Sequence, residues 1–233
     1  MERVDKLLSS TGRWSRKEVK TLIKAGRIRA AGMVLRDPGE KLSKETILFV
    51  DGEAVLAESK VYLMMHKPSG VISSTDDPRE KTVLDLLPES YQKQGLFPVG
   101  RLDKDTEGLL LLTNDGPLAH HLLSPRHHVE KVYYTEVDGT LDDEDVIAFA
   151  EGITLRDGTV CQKAGLEILS PPNLALVSLR EGKYHQVKRM LASRGKPVVY
   201  LKRLAMGTLQ LDKALSPGEF RVLTQEEKAQ ILL

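Results

Sequence analysis

The segment Gly100-Arg101-Leu102-Asp103-Lys104-Asp105-Thr106-Glu107-Gly108 separates two apolar stretches of the chain. Val99 ends the first stretch, and the leucine run Leu109–Leu112 begins the second. An uninterrupted apolar run predicts a buried strand, and polar residues between two glycines predict a loop. This loop should therefore be held between strands, a place where catalytic side chains are often found.

Short strand-like runs dominate the chain on both sides of this loop. Predicted strands cover residues 62–66, 71–74, 109–113, 132–137, 165–169, 174–179, 198–201 and 208–211. Predicted helices cover residues 117–123, 143–151 and 184–194, and the last two end at Gly152 and Gly195. Because helices do not alternate regularly with strands, we expect an α+β fold with a mixed, largely antiparallel sheet.

The N-terminal part predicts a separate small α/β module. Ser15-Arg16-Lys17-Glu18 is a capping-box sequence, and apolar residues at helical spacing follow until Gly26. Residues 27–34 predict a strand, a tight turn and a return strand, and residues 47–50 predict a further strand. The polar stretch 51–60 is interpreted as a linker, so we expect domains at 1–58 and 59–233.

The composition is that of a globular protein, with 41% hydrophobic and 29% charged residues. No apolar run reaches the roughly 18 residues that cross a bilayer, and the charged start does not resemble a secretory signal. The lone Cys161 excludes an internal disulfide and a cysteine-rich zinc site. These features predict a cytoplasmic protein without a membrane partner.

Charge is unevenly distributed although the net charge is only +1. Residues 1–36 hold ten Lys or Arg against three Asp or Glu, and residues 180–203 hold eight against one. Residues 136–151 hold seven acids and no base. This segregation fits a protein with one face on a polyanion, although charge runs also occur on ordinary solvated faces.

The first 60 residues resemble the S4 RNA-binding module. The likeness rests on Arg3–Leu8, Gly12, Ser15-Arg16, Ile23–Ile28 and Gly32, whereas Ala30-Ala31 departs from the usual turn. A basic helical surface can grip RNA phosphates, and a basic dimerisation module is the alternative. The resemblance implies RNA contacts at Arg3, Lys6, Arg13, Arg16, Lys17, Lys20, Lys24 and Arg27.

Two metal-site interpretations of the remaining motifs are weak. Asp103, Asp105 and Glu107 mimic the start of an EF-hand loop, but Asn114 stands where a bidentate glutamate is needed. Four histidines crowd residues 120–128 without an organised carboxylate or thiolate partner. No metal is therefore expected.

The loop and two later segments together resemble the RsuA/RluA pseudouridine synthases. Arg101-Leu102-Asp103 matches the motif that carries the family's essential aspartate, which implies that role for Asp103. Lys131-Val132-Tyr133 matches the element whose tyrosine packs against the target base. Residues 181–190 match the third motif, in which Lys188 is expected to pair with Asp103. The roles of His185 and Gln186 stay open.

The residues Ser124–His128 are most similar to the branch of this family that acts on small-subunit ribosomal RNA. The resemblance implies a uridine-516-type position of 16S ribosomal RNA or of an assembly intermediate as the substrate. Further RNA contacts are expected at Arg101, Arg126, His127 and His128. Alternatives are the same chemistry on large-subunit or transfer RNA, and a non-catalytic ribosome-binding factor.

Pseudouridine formation breaks the N1–C1′ bond, turns the base and joins C5 to C1′. The reaction is redox-neutral, so no cofactor is expected. A positioned carboxylate can stabilise or trap the positive charge that develops on the ribose. Whether Asp103 attacks C1′ or removes the C2′ proton is left open by the sequence. A monomer is expected.

Overall fold

The computed structural model describes residues 1–11, 13–43, 46–56, 60–124, 127 and 129–232. The chain divides into two compact units, one of residues 1–61 with 84–97 and one of residues 62–83 with 98–233. Within the described residues, no helix combines the length and the apolar character needed to cross a membrane.

The first unit packs two short helices against a small antiparallel sheet. The helices are α1 (Val4–Ser9) and α2 (Arg16–Lys24), and the sheet order is β3 (Met33–Val34), β2 (Ile28–Ala30), β5 (Ile47–Val50) and β6 (Glu53–Leu56). A separate pair joins β1 (Glu2–Arg3) to β4 (Lys41–Leu42), and the later segment holds a 3-10 turn (Leu84–Leu86) and α3 (Glu89–Gln92). Helix residues such as Leu8 and Ile23 share one buried core with strand residues such as Ile28 and Leu48.

The predicted helix start is confirmed at α2. The Ser15 hydroxyl accepts a hydrogen bond from the Glu18 amide at 3.2 Å, and the Glu18 carboxylate accepts one from the Ser15 amide at 2.7 Å. These bonds satisfy amide groups that the first helical turn leaves without a partner. Gly26 follows the helix with φ of +69°, a conformation that favours glycine at a helix end.

The interpretation of residues 51–60 as a linker is partly wrong. Asp51 and Gly52 both have positive φ, +55° and +85°, and they form a two-residue turn between β5 and β6. Aspartate followed by glycine suits this type of hairpin turn. Residues 57–59 lie outside the described residues, so the predicted boundary between 58 and 59 stays a prediction.

The second unit is built on a mixed sheet. Its order is β11 (Gly165–Ile168), β12 (Leu174–Leu179), β10 (Lys131–Val137), β13 (Val198–Met206), β9 (Glu107–Thr113), β7 (Tyr62–Lys67) and β15 (Phe220–Val222). The unit also contains β14 (Leu209–Gln210), α4 (Gly116–Leu123), α5 (Asp143–Glu151), α6 (Gln186–Ser193) and α7 (Gln225–Leu232). The short strand β8 (Phe97–Pro98) begins in the first unit and ends in the second along the chain. Among the strand pairs with described registers, β9 with β13 is parallel and the others are antiparallel. The α+β fold with a largely antiparallel sheet is confirmed.

Two element predictions in this unit are wrong. Residues 71–74 do not form a strand, and among them only Ile72 makes an isolated bridge, to Thr82. The Ser73 hydroxyl instead bonds the amide and the carbonyl of Leu102, at 3.0 and 2.9 Å. The helix predicted from residue 184 begins at Gln186, because His185 has a left-handed backbone with φ of +48°.

Candidate active site

The loop that carries Asp103 is fixed by backbone and side-chain bonds. The Val99 amide donates to the Leu111 carbonyl at 2.8 Å, and the Thr106 amide closes a turn on the Asp103 carbonyl at 3.1 Å. Leu102 is buried, and its amide and carbonyl both bond the Ser73 hydroxyl. Asp103 therefore projects from a loop whose backbone is anchored on both sides.

Lys67, at the end of β7, anchors the same loop through its side chain. Its side chain is fully buried, and its Nζ donates to the carbonyls of Pro68, Lys104 and Thr106 at 2.9, 3.2 and 2.8 Å. Burial lowers the pKa of Lys67 to about 8, although the carboxylates of Asp105 and Asp103 oppose this shift. Lys67 was not predicted from the sequence, since no spacing signal marks it.

The structure brings Lys188 to Asp103, as the sequence predicted. Lys188 lies in the first turn of α6, and its Nζ is 3.1 Å from Asp103 Oδ2. The same Nζ lies 2.5 Å from Asp105 Oδ1, a contact that the sequence did not predict. This hydrogen bond lowers the pKa of Asp105 below its usual value. One ammonium group thus serves two carboxylates of one loop.

The turn before α6 brings a second basic side chain to Asp103. His185 Nε2 lies 3.5 Å from Asp103 Oδ1, and the His185 ring stacks on Tyr184 with centroids 3.8 Å apart. Gln186 is buried and braces the turn, since it accepts from the Lys183 amide and donates to Glu181. Positive φ at a histidine is uncommon, and such strain often occurs at functional sites.

Tyr133 lies on β10 directly opposite Arg203 of β13, and both side chains are buried. It lines a cavity of about 360 Å³ together with Arg101, Lys131 and Glu181. Asp103 lines a second cavity of about 690 Å³. Five residues line both cavities, so Tyr133 and Asp103 face adjoining parts of one cleft. The shared residues are Gly100, Arg101, Leu123, Gly182 and Lys183.

The basic residues predicted to contact RNA fall into two groups. Arg16, Lys17, Lys20 and Lys24 are exposed along α2. The other four basic residues each form an ion pair with a carboxylate. The pairs are Arg3 with Asp5, Lys6 with Glu2, Arg13 with Glu53 and Arg27 with Asp51. The α2 surface therefore offers the more available cations.

The predicted contacts after α4 are only partly described. His127 is exposed, and its ring lies 3.8 Å from that of His121. Arg126 and His128 lie outside the described residues. Among the described residues, no group of three or more histidine, cysteine, aspartate or glutamate side chains is arranged to hold a metal ion.

Two family models match consecutive parts of the chain. The family model of RNA pseudouridylate synthase matches residues 61–193, and the S4 domain model matches residues 2–48. An uncharacterized RNA pseudouridine synthase of Bacillus subtilis is 47% identical over 97% of this chain and 96% of its own length. Ribosomal small subunit pseudouridine synthase A of Escherichia coli K12 is 38% identical over 99% of this chain and 100% of its own.

A solved structure agrees with these matches. The crystal structure of a pseudouridylate synthase has a TM-score of 0.71 and 34% identity, and the match covers 99% of this chain and 100% of that one. The class is therefore that of an isomerase that modifies RNA. The chain belongs to the RNA pseudouridylate synthase family and carries an S4 RNA-binding domain.

Proposed function

We propose that this enzyme converts a uridine of small-subunit ribosomal RNA to pseudouridine, at the uridine-516-type position, with Asp103 as the reacting carboxylate. The observation that carries the proposal is the ion pair of 3.1 Å between Lys188 and Asp103 at the wall of the cleft. The small-subunit assignment is supported by the name of the Escherichia coli relative and by the residues Ser124–His128.

The reaction breaks the N1–C1′ bond, turns the uracil, and joins C5 to C1′. The C5 proton is lost and N1 gains one, so the product is an isomer of the substrate. Asp103 acts at the ribose, where positive charge develops as the glycosidic bond breaks. Lys188 holds the carboxylate in position through this ion pair and places a positive charge beside the reacting group.

The target nucleotide must leave the base stack to reach this cleft. Tyr133 packs against the uracil and excludes water, which would otherwise intercept the ribose and leave abasic RNA. Arg101 lines both cavities and contacts the phosphate backbone of the flipped nucleotide. The exposed cations of α2 hold the surrounding RNA, with Arg126, His127 and His128 as further contacts. An enzyme that acts on ribosomal RNA works in the cytoplasm.

Tritium release tests this proposal. The protein is incubated separately with small- and large-subunit RNA labelled with tritium at uridine C5, and loss of label to water reports on C5–C1′ bond formation. We expect release from small-subunit RNA, and mapping of the product should give one modified position. Release from large-subunit RNA alone would identify that RNA as the substrate. Release from neither RNA would favour a non-catalytic ribosome-binding factor.

A further inference from the structure

A buried cation without a counterion lies beside the cleft. Arg203 of β13 is 2% exposed, and its Nε donates to the Leu109 carbonyl at 2.8 Å. Its Nη2 is buried and has no hydrogen-bond partner in the described part of the chain. No described carboxylate forms an ion pair with it. Burying such a charge is costly, so a group of this kind is expected to have a use.

Lys131 brings a second positive charge to the same cavity. It precedes Tyr133 by two residues on β10, so both side chains point to the same side of the sheet, and both line the cavity with Arg203. Its Nζ donates to the Val129 carbonyl at 2.9 Å, and no carboxylate among the described residues pairs with it. Burial and the nearby charge of Arg203 lower the pKa of Lys131.

The cavity has no free negative charge to balance these cations. Glu181 is the acidic residue among its described lining residues. Its carboxylate already accepts from the Gln162 amide and from Gln186, and it pairs with Lys183 at 2.8 Å. The cavity is therefore prepared for a ligand that is negatively charged at some stage.

We propose that Arg203 and Lys131 stabilise the uracil anion that forms when the glycosidic bond breaks; this inference rests on the proposed function. The electron pair of the N1–C1′ bond stays on the uracil, where it is delocalised over N1, O2 and O4. C5 then attacks C1′, the C5 proton leaves, and N1 is protonated. Cations fixed at the cavity wall stabilise the anion without reorganising during the reaction.

Three features favour the base over an RNA phosphate as the ligand. The cavity contains the buried ring of Tyr133, and an aromatic wall suits a planar base better than a tetrahedral phosphate. A volume of about 360 Å³ falls in the range that small molecules occupy. Two cations also suit a ring that turns, because O2 and O4 share the negative charge and the positive field of both cations acts on it in either orientation.

Single-turnover kinetics with excess enzyme separate this role from RNA binding. We expect Lys131→Met to lower the rate of pseudouridine formation about 10- to 100-fold, with unchanged RNA affinity and salt dependence. Lys131→Arg should recover most of the rate because it restores the charge. Lys202→Met is the matched control: Lys202 precedes Arg203 on β13 but lines a different cavity, so this variant should react like wild type.

A substrate analogue tests the leaving group directly. Fluorine at C5 stabilises the uracil anion, so the anion needs less help from the protein. The factor by which Lys131→Met slows substrate consumption should therefore be smaller with 5-fluorouridine at the target position than with uridine. Arg203→Met should follow the same pattern, and if it fails to fold by its thermal transition, the Lys131 variants decide.

Two results would overturn the inference. Equal fold-losses with both substrates would mean that Lys131 does not act on the departing base. A wild-type rate at saturating enzyme with weaker RNA binding and a shallower salt dependence would identify a phosphate subsite. If wild type releases no tritium from any RNA, the proposed function fails first, so the two failures are distinguishable.

Discussion

Lys188 contacts two carboxylates at once, and its two partners differ in their surroundings. The Asp103 side chain is 27% exposed and lines the cleft, whereas that of Asp105 is 72% exposed. Asp105 is closer to the ammonium group, at 2.5 Å against 3.1 Å. Proximity to the cation therefore does not identify the reacting group, and accessibility from the cleft favours Asp103.

Replacing Asp103 with asparagine should abolish turnover. Asp103→Asn keeps the shape but removes the charge and the nucleophile, so we expect the single-turnover rate to fall more than about 1000-fold while RNA affinity stays near that of wild type. Tritium release and filter binding measure the two quantities. A comparable rate for this variant would show that the proposed mechanism is wrong.

Asp105→Asn is the partner experiment in the same loop. The change leaves Lys188 free to pair with Asp103 alone, so measurable activity should persist. Lys188→Met should fall between the two aspartate variants, since it removes the charge that aims Asp103 but not the reacting group. An inactive Asp105→Asn beside an active Asp103→Asn would place the catalytic carboxylate two residues further along the chain.

The pKa of Lys67, about 8, gives its contribution to stability a defined pH dependence. The pKa of an unfolded lysine is about 10.4, so between these values the unfolded chain holds a proton that the folded protein has lost. The free energy of unfolding of wild type minus that of Lys67→Met should therefore rise from pH 8 to pH 10.5, by at most about 3 kcal/mol. Denaturant unfolding across this range measures the difference, and a falling or flat difference would contradict it.

At the level of elements, the parallel contact between β9 and β13 is the junction on which the site depends. Gly108 pairs with Arg203 across it, and Tyr200 donates from β13 to the Glu107 carboxylate at 2.8 Å. A Cβ at Gly108 would lie 2.2 Å from the Arg203 carbonyl oxygen, and φ there is +108°. The close approach of two backbones thus requires glycine near the start of β9, next to the catalytic loop.

Gly108→Ala should therefore destabilise the protein strongly. The expected loss is at least about 2 kcal/mol in the free energy of unfolding, because the strands must separate and the backbone is strained. Gly182→Ala is the control: φ at Gly182 is not positive, and apart from the adjacent residues no atom lies within 4 Å of its added Cβ. That variant should be as stable as wild type or up to about 1 kcal/mol more stable. Equal stability of both variants would contradict the requirement for glycine at position 108.

The sequence predicted the regular elements well where one local signal decided them. The capping box at Ser15 and the leucine run in β9 gave correct elements because each signal acts within a few residues. Of the two errors, one came from a contact distant in sequence and the other from a local backbone conformation. Ser73 bonds Leu102 instead of a neighbouring strand, and the left-handed backbone of His185 delays α6.

At the level of the whole molecule, the site combines side chains that are far apart in the chain. The family motifs identified Asp103 and Lys188, and the structure places them together. The buried anchor Lys67 and the uncompensated cation Arg203 were not predicted, because burial and missing partners depend on how β7, β9 and β13 pack. Sequence patterns give residue types in order, whereas these roles depend on tertiary surroundings.

The S4 domain should supply RNA affinity without affecting the chemical step. Arg16, Lys17, Lys20 and Lys24 are exposed on α2, whereas Arg27 is held by Asp51 through hydrogen bonds of 2.6 and 2.5 Å. Changing the four exposed residues together to glutamine should weaken binding to ribosomal RNA and reduce the slope of log affinity against log salt by up to about 3 units, at roughly 0.7 for each phosphate that is no longer neutralised. The single-turnover rate at saturating enzyme should not change.

Arg27→Gln provides the control for this experiment, because it removes a neighbouring cation that a carboxylate already neutralises. Its salt slope should stay close to that of wild type, whereas the fourfold variant should differ clearly. Substitution is preferable to deletion of the domain, since residues 84–97 belong to the same compact unit and would be left without their packing partners. An unchanged slope in the fourfold variant would place the main RNA contacts elsewhere, and the basic segment of residues 180–203 would then be the next region to neutralise.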